Sequence, residues 1–335
     1  MKKVKLTDNI IELNRDMEPC VIQGAVSRPE PFGDKYLPLQ FVHFSDIHNK
    51  IKNYNRVVEY INYYQDYIEF ALHTGDYCEA CQLEYTDLYN EGEECVRPIL
   101  NCTGNHDVVA NNNWRFNLPC EATKESVYEH LFNRTENRDV SFMNGDYSMT
   151  YYKDFPKSLV RLIVLDCYYD LKAQAEWLRE VLSDAREKGF HVITSSHLQT
   201  GYISAPFDTP FNTINDYKSL KGEEPESIFE RIIVDFKNRG GIHVCHLAGH
   251  NHHDRFGYTK NGVLNSSVEC ATCYFGWTDG IRVEGNRTFD CFNIVSVDVN
   301  VGVFTFARIG DNVDHYLRRK KTLCFDYING RLIYT

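Results

Sequence analysis

Gly104-Asn105-His106-Asp107 places an amide, an imidazole and a carboxylate together at the end of a strand-like run, Val96 to Cys102. Neighbouring side chains of a regular strand point to opposite faces. For Asn105 and His106 to face one site, the chain must leave strand geometry there. Gly104 is expected to allow this through backbone angles that other residues avoid. A polar cluster at a strand end is a place for chemistry, provided other segments bring partners to it.

Other segments repeat the arrangement. Leu39 to Phe44 reads as a strand that delivers Ser45-Asp46-Ile47-His48. Val57, Val58, Ile61, Tyr64, Tyr67 and Ile68 follow helical spacing, and the short run Phe70-Ala71-Leu72 ends at Gly75-Asp76. Tyr147 to Tyr152 and Leu159 to Leu165 read as strands, and Gln174 to Lys188 as a helix stopped by Gly189. Val192 to Ser195 is a strand delivering Ser196-His197. Ile228 to Phe236 is a helix, and Ile242 to Leu247 is a strand delivering Gly249-His250-Asn251-His252. The pattern is α/β, and ligand sites in such sheets lie at the carboxyl ends of the strands. Beyond about 260, short strands dominate: Phe292 to Val299, Gly302 to Ala307, and an Asn329-Gly330 hairpin between Phe325 and Tyr334.

Composition bounds the class. The chain has 335 residues, 43% hydrophobic and 25% charged, enough for a large core. We expect an N-terminal extension over 1–38, with an apolar patch at Ile10, Ile11 and Leu13, packed on a catalytic domain over 39–260. A β-rich part over 261–335 is expected to complete the same domain. The net charge of −11 argues against broad nucleic-acid binding, which needs a basic surface. No apolar run approaches the roughly 18 residues of a membrane helix, and the N-terminus lacks a secretory apolar stretch. A cytoplasmic protein with no membrane partner is expected. Twelve cysteines are scattered along the chain, several inside apolar runs, as expected of buried reduced thiols. The pairs Cys78/Cys81 and Cys270/Cys273 lie too far apart for a zinc ribbon, with a structural zinc site or a redox pair as the alternatives.

The strand ends together offer Asp46, His48, Asp76, Asn105, His106, His197, His250 and His252. Asp46/His48 and His250/His252 are i, i+2 pairs, which in extended chain face one side. His43 lies on the opposite face and reads as structural, as do His73, His130, His191, His243, His246 and His315, while His253 adjoins a candidate ligand. Four histidines, two aspartates and an asparagine form a mixed nitrogen and oxygen set suited to zinc, manganese or iron. Seven ligands exceed what one catalytic ion uses and suit two, if one carboxylate bridges. Such a centre favours phosphoryl displacement.

The ordered set Asp46-x-His48, Gly75-Asp76, Gly104-Asn105-His106-Asp107, His197 and Gly249-His250-x-His252 resembles the calcineurin-like metallophosphoesterase superfamily, over residues 39 to 255. The resemblance implies a four-layer α/β/β/α sandwich with a β-rich C-terminal extension. It implies a dinuclear centre of divalent or mixed-valence transition metals (Mn, Fe, Zn or Ni). Carried over, Asp46, His48 and His252 hold the first metal, Asn105, His197 and His250 the second, and Asp76 bridges. His106 serves the leaving oxygen and Asp107 orients His106. The implied activity is phosphoester hydrolysis by metal-activated hydroxide, phosphodiesterase or phosphatase, on a small-molecule or nucleotide phosphoester. The alternatives are a metal-binding scaffold of the same fold or a nuclease, which the net charge disfavours. Purple acid phosphatases of this superfamily carry a tyrosine three positions after the bridging aspartate. Here that residue is Glu79, which argues against that branch. The Asn111-Asn112-Asn113-Trp114-Arg115 loop reads as surface more than substrate contact, and Glu91 to Glu94 as a solvated face.

Overall fold

The structure, a computed structural model, describes residues 36–79, 81–84, 86, 94–108, 122–133, 139–201, 203–206, 228–252, 254–268, 270–271, 289–310 and 322–333. The segment 1–35, the Asn111 to Arg115 loop, Glu91, Glu93, His253, Cys273 and His315 lie outside the described residues.

Two sheets carry the fold. The first comprises β1 (Leu39–Phe44), β2 (Ala71–His73), β3 (Ile99–Asn101), β12 (Cys291–Asp298), β13 (Val303–Gly310), β14 (Thr322–Asp326) and β15 (Arg331–Ile333). Its order is β15-β14-β13-β12-β1-β2-β3, so the late strands continue the sheet that β1 starts. The second comprises β4 (Ser141–Phe142), β5 (Tyr151–Phe155), β6 (Val160–Val164), β7 (His191–Ser195), β8 (Ile203–Pro206), β9 (Ile242–Ala248), β10 (Arg255–Thr259) and β11 (Leu264–Ser267). Its order is β4-β5-β6-β7-β9-β11-β10-β8. β1, β2 and β3 are mutually parallel. So are β6, β7, β9 and β11.

The sheets pack face to face. Phe41 of β1 stacks on Phe70 at 4.5 Å, and Phe70 stacks on Phe155 of β5 at 4.9 Å, crossing from one sheet to the other. At the far end Phe256 of β10 meets Phe304, Phe306 and Phe325 of the first sheet. Helix α1 (Ile51–Tyr63) covers the first sheet, with Tyr54 against Phe44 and Tyr60 against Phe292. Between them in chain order come α2 (Asn105–Val108), a single turn, and α3 (Lys124–Val127), which runs on into a π turn at Tyr128–Phe132. Helices α4 (Leu171–Glu187) and α5 (Ile228–Asn238) cover the second sheet. There Leu178, Leu182, Phe229 and Phe236 pack with Ile163 and Val192 in a separate apolar cluster. The result is the expected four-layer α/β/β/α sandwich. β1 is buried along its whole length because both its faces are covered, which is why it reads as a near-continuous apolar run.

Local outcomes depart from the sequence reading in informative ways. Helix α1 starts before Val57 and ends at Tyr63, although Tyr64 and Ile68 remain buried beyond it. The 96–102 run yields only a three-residue strand. The nine described cysteines are free thiols, and all but Cys95 are buried. No described helix is long and apolar enough to cross a membrane.

Candidate metal centre

The carboxyl ends of β1, β2 and β3 in one sheet meet those of β7 and β9 in the other. Backbone hydrogen bonds tie the loops together: Asp46 N donates to Gly75 O (3.0 Å), His48 N to Asp76 O (3.1 Å) and Gly249 N to His197 O (3.0 Å). Across the sheets, His250 N donates to Asp46 Oδ2 (3.1 Å). The loops approach so closely that side chains are excluded. A Cβ on Gly249 would overlap Ser45 Oγ and Asp46 Oδ2, and one on Gly104 would overlap the amide and carboxylate of Asp76.

Two parts of the sequence reading are corrected here. Gly104 does not adopt a left-handed conformation, and what it supplies is room for Asp76. The i, i+2 pairs do not project from extended chain: Asp46, His48, Asp76, His250 and His252 all have φ between 47° and 67°. Asp and His tolerate this region better than most side chains. The ligands therefore converge because tight left-handed turns follow the strands. Asn105 and His106 sit at the start of α2, so the chain has passed from strand to helical turn at the opening tetrad.

Two groups of polar atoms result. In the first, His252 Nε2 lies 3.2 Å from Asp46 Oδ1 and 3.2 Å from His48 Nε2, which is itself 3.8 Å from Asp76 Oδ2. In the second, His197 Nε2 lies 3.2 Å from Asp76 Oδ2, 3.0 Å from Asn105 Oδ1 and 3.1 Å from His250 Nδ1. Asp76 belongs to both, and through a single oxygen. Oδ2 faces His48 and His197, whereas Oδ1 accepts from the backbone N–H of His106 (2.8 Å). All seven ligand candidates are thus brought together, in two groups joined at one carboxylate oxygen.

The other histidines are engaged elsewhere. His43 Nε2 meets Thr74 Oγ1 at 3.2 Å, and His73 Nδ1 accepts from Gly75 N at 3.3 Å. His243 and His246 share Thr194 Oγ1, each at 2.9 Å. His191 Nδ1 meets the Tyr327 hydroxyl at 2.7 Å, and His130 Nδ1 meets Ser126 O at 2.8 Å.

Asp107 does not orient the imidazole of His106. Its Oδ2 accepts from the amides of Gly104 (2.8 Å) and Asp76 (3.0 Å), and its Oδ1 from that of Cys78 (3.1 Å). It caps α2 and ties the β2 and β3 loops together. The group beside His106 is Glu79, whose Oε1 lies 3.2 Å from His106 Nδ1 and whose Oε2 lies 3.0 Å from His48 Nδ1. Sequence reasoning touched Glu79 only as a departure from a tyrosine. The usable signal was its place three residues after Asp76.

Within the cluster, carboxylates and imidazoles hold one another in their charged forms. Burial alone raises Asp76, but His197, His106 and His48 outweigh it and hold the carboxyl well below the usual range. Asp46 is depressed too, burial being overcome by His252 and His197. Burial lowers His197, yet Asp76 and Asp46 lift it to about 9. Burial likewise opposes charge on His106, and Asp76, Glu79 and Asp107 raise it to about 9. His48 stays below its ordinary value because burial dominates. Burial and the Asp76 charge push Asp107 up to about 6. Ionised carboxylates thus face imidazole nitrogens that converge on one another, 3.2 Å apart in the first group and 3.1 Å in the second. His197 Nδ1 donates to Thr74 O (2.6 Å), which directs Nε2 to the cluster. The donor set fits two transition-metal ions sharing Asp76.

A sequence profile of calcineurin-like phosphoesterases matches residues 39–254, well over half of the chain. Among solved structures, a dimetal phosphatase from Danio rerio is similar over 87% of this chain and 99% of its own, at 13% identity and a TM-score of 0.56. GAP50, the anchor in the inner membrane complex of Plasmodium, is similar over 85% of this chain and 90% of its own, at 13% identity and a TM-score of 0.46. At 13% identity the likeness to the Danio rerio structure is one of fold. No curated protein matches the sequence. The chain belongs to the calcineurin-like phosphoesterase family, which uses dinuclear metal centres.

Proposed function

We propose that this calcineurin-like phosphoesterase is a dinuclear metal-dependent hydrolase of small-molecule or nucleotide phosphoesters. The observation that carries this reading is the single oxygen, Asp76 Oδ2, facing both polar groups beside His106. Asp46, His48 and His252 would hold one ion and Asn105, His197 and His250 the other, with Mn, Fe, Zn or Ni as the metals. When bound, two such ions supply Lewis-acid charge for the phosphoryl group and lower the pKa of an attacking water.

The chain's own residues do the rest. Against the effect of burial, Asp76, Glu79 and Asp107 hold the His106 imidazole protonated, the form a general acid needs. Its Nδ1 is taken by Glu79, so Nε2 is the nitrogen left for the leaving oxygen. Asp107 holds the β2 and β3 loops in register, keeping Asp76 and Asn105 at fixed positions. The net charge of −11 supports a compact substrate over a nucleic-acid polymer.

The test is turnover of a chromogenic phosphodiester and of the matching monoester, with Mn, Zn, Ni or Fe added in turn. Activity on either ester supports the reading and identifies which ester is preferred. No turnover with any of the four metals contradicts it.

A further inference from the structure

We infer that the ion pair between Asp254 and Arg308 is a positioning pair that sets His252 in the first metal group from across the two sheets. This rests on the proposed role of His252 as a ligand, and goes beyond it by assigning what holds that ligand. Asp254 follows His252 by two residues and stands just before β10, whereas Arg308 lies on β13 of the first sheet. Both side chains are fully buried, and Arg308 Nη2 pairs with Asp254 Oδ1.

The strands place this cation between the sheets. Phe304 and Phe306 of β13 meet Phe256 of the second sheet. Arg308 is two residues beyond Phe306 on the same strand, so it points the same way. Arg308 Nη1 also donates to Cys291 Sγ (2.7 Å), which ties the guanidinium to β12, the neighbouring strand. The guanidinium is therefore fixed to the first sheet, and Asp254 comes to it from the second.

The effect on the site follows from the path of the chain. Between β9, which ends at Ala248, and β10, which starts at Arg255, the chain leaves the second sheet. It is held to the first sheet at two points. His250 N donates to Asp46 Oδ2 (3.1 Å) in the loop after β1, and Asp254 pairs with Arg308. His252 lies midway between these anchors, in a left-handed turn with φ 57°. With both anchors in place its Nε2 stays 3.2 Å from Asp46 Oδ1 and 3.2 Å from His48 Nε2. Loss of the pair removes the second anchor and frees the turn that presents His252. The second group is held by other means: His197 Nδ1 donates to Thr74 O, Asn105 starts α2, and His250 has its own amide bond to Asp46.

The experiment measures zinc affinity by calorimetry on metal-free protein, with folding checked by circular dichroism. It compares wild type, the neutral pair Asp254→Leu with Arg308→Met, Arg308→Lys, and His252→Ala with and without the neutral pair. A buried ion pair can often be exchanged for apolar residues of similar volume without loss of stability, so the neutral pair should fold. The first-group ion is the one that His252→Ala weakens. The neutral pair should weaken that same ion roughly 10–100-fold and leave the other at its wild-type affinity. In the His252→Ala protein it should not change the ion that remains. Arg308→Lys keeps the charge and loses the planar fork, so it should weaken the first ion by less, and it carries the test if the neutral pair does not fold. These readouts need no turnover, so an inactive enzyme would sink the hydrolase reading while the positioning role is judged by itself. Wild-type protein that binds no zinc would sink both. Wild-type affinity for both ions in the folded neutral pair, or in Arg308→Lys where that pair does not fold, would overturn the inference. Equal weakening of both ions, or a loss at the ion that remains in His252→Ala, would overturn it too.

Discussion

Asp107 Oδ2 accepts a hydrogen bond from the backbone amide of Asp76 (3.0 Å), so the loop that presents the shared carboxylate is tied to the loop that presents His106. The same side chain satisfies the amides of Gly104 and Cys78. Asp107→Ala strips three donors of their acceptor in a fully buried place. Bonds to charged groups contribute about 1.5–3 kcal/mol each, and the loop can recover only part of that. Thermal or urea unfolding should show a loss of about 3 kcal/mol or more, with metal content falling in parallel. Unchanged stability would contradict the tie.

Gly104→Ala probes the closeness of the same loops. The added methyl group lands on the Asp76 amide, which is backbone, and on Asp76 Oδ1, which the His106 N–H holds in place. Overpacking of this kind costs about 1–3 kcal/mol, and here it displaces the group that both proposed metal sites share. Purified Gly104→Ala protein should carry less than half of the wild-type metal by elemental analysis.

In the proposed reaction His106 contributes chemistry without binding metal. Its imidazole meets Glu79, and its backbone N–H meets Asp76 Oδ1. His106→Ala keeps that N–H, so metal content should be unchanged. Turnover should fall by roughly the 10²–10⁴-fold typical of a general acid. Steady-state kinetics beside elemental analysis separate the two outcomes.

How far the sequence reaches is clear from particular residues. β1 is legible to its ends because both of its faces are buried, and the histidines after β7 and β9 stand out because each follows an apolar strand. The i, i+2 spacing of Asp46 and His48 points to extended chain, whereas left-handed turns bring them together. Nothing local marks those turns, because their geometry is imposed by neighbouring loops. Glu79 is illegible for a related reason: its partners lie 31 positions before and 27 after it, and only the folded loops bring them to one carboxylate. The hairpin of β10 and β11 lacks a long apolar run and went unread, although Asn261-Gly262 marks its turn.

Metal uptake should release protons. His197 in the metal-free protein titrates at about 9, above its ordinary 6.5. A raised imidazole pKa stabilises the fold fully below about 6.5, and that contribution is lost as pH rises through about 9. Chelated protein should therefore lose the His197 contribution to its melting temperature between pH 6.5 and pH 9.5. Zinc must displace the His197 proton, so loading at pH 7 should release close to one proton from this group, and that release should fade above pH 9. Calorimetry in two buffers of different ionisation enthalpy measures it.

The central claim is that one carboxylate oxygen of Asp76 joins two metal sites. Electron paramagnetic resonance of the manganese-loaded protein, with elemental analysis on the same sample, tests it most directly. Two manganese ions per chain with a spin-coupled spectrum are predicted, together with loss of the coupling in Asp76→Ala. One ion per chain, or two ions that show no coupling in the wild type, would contradict the account.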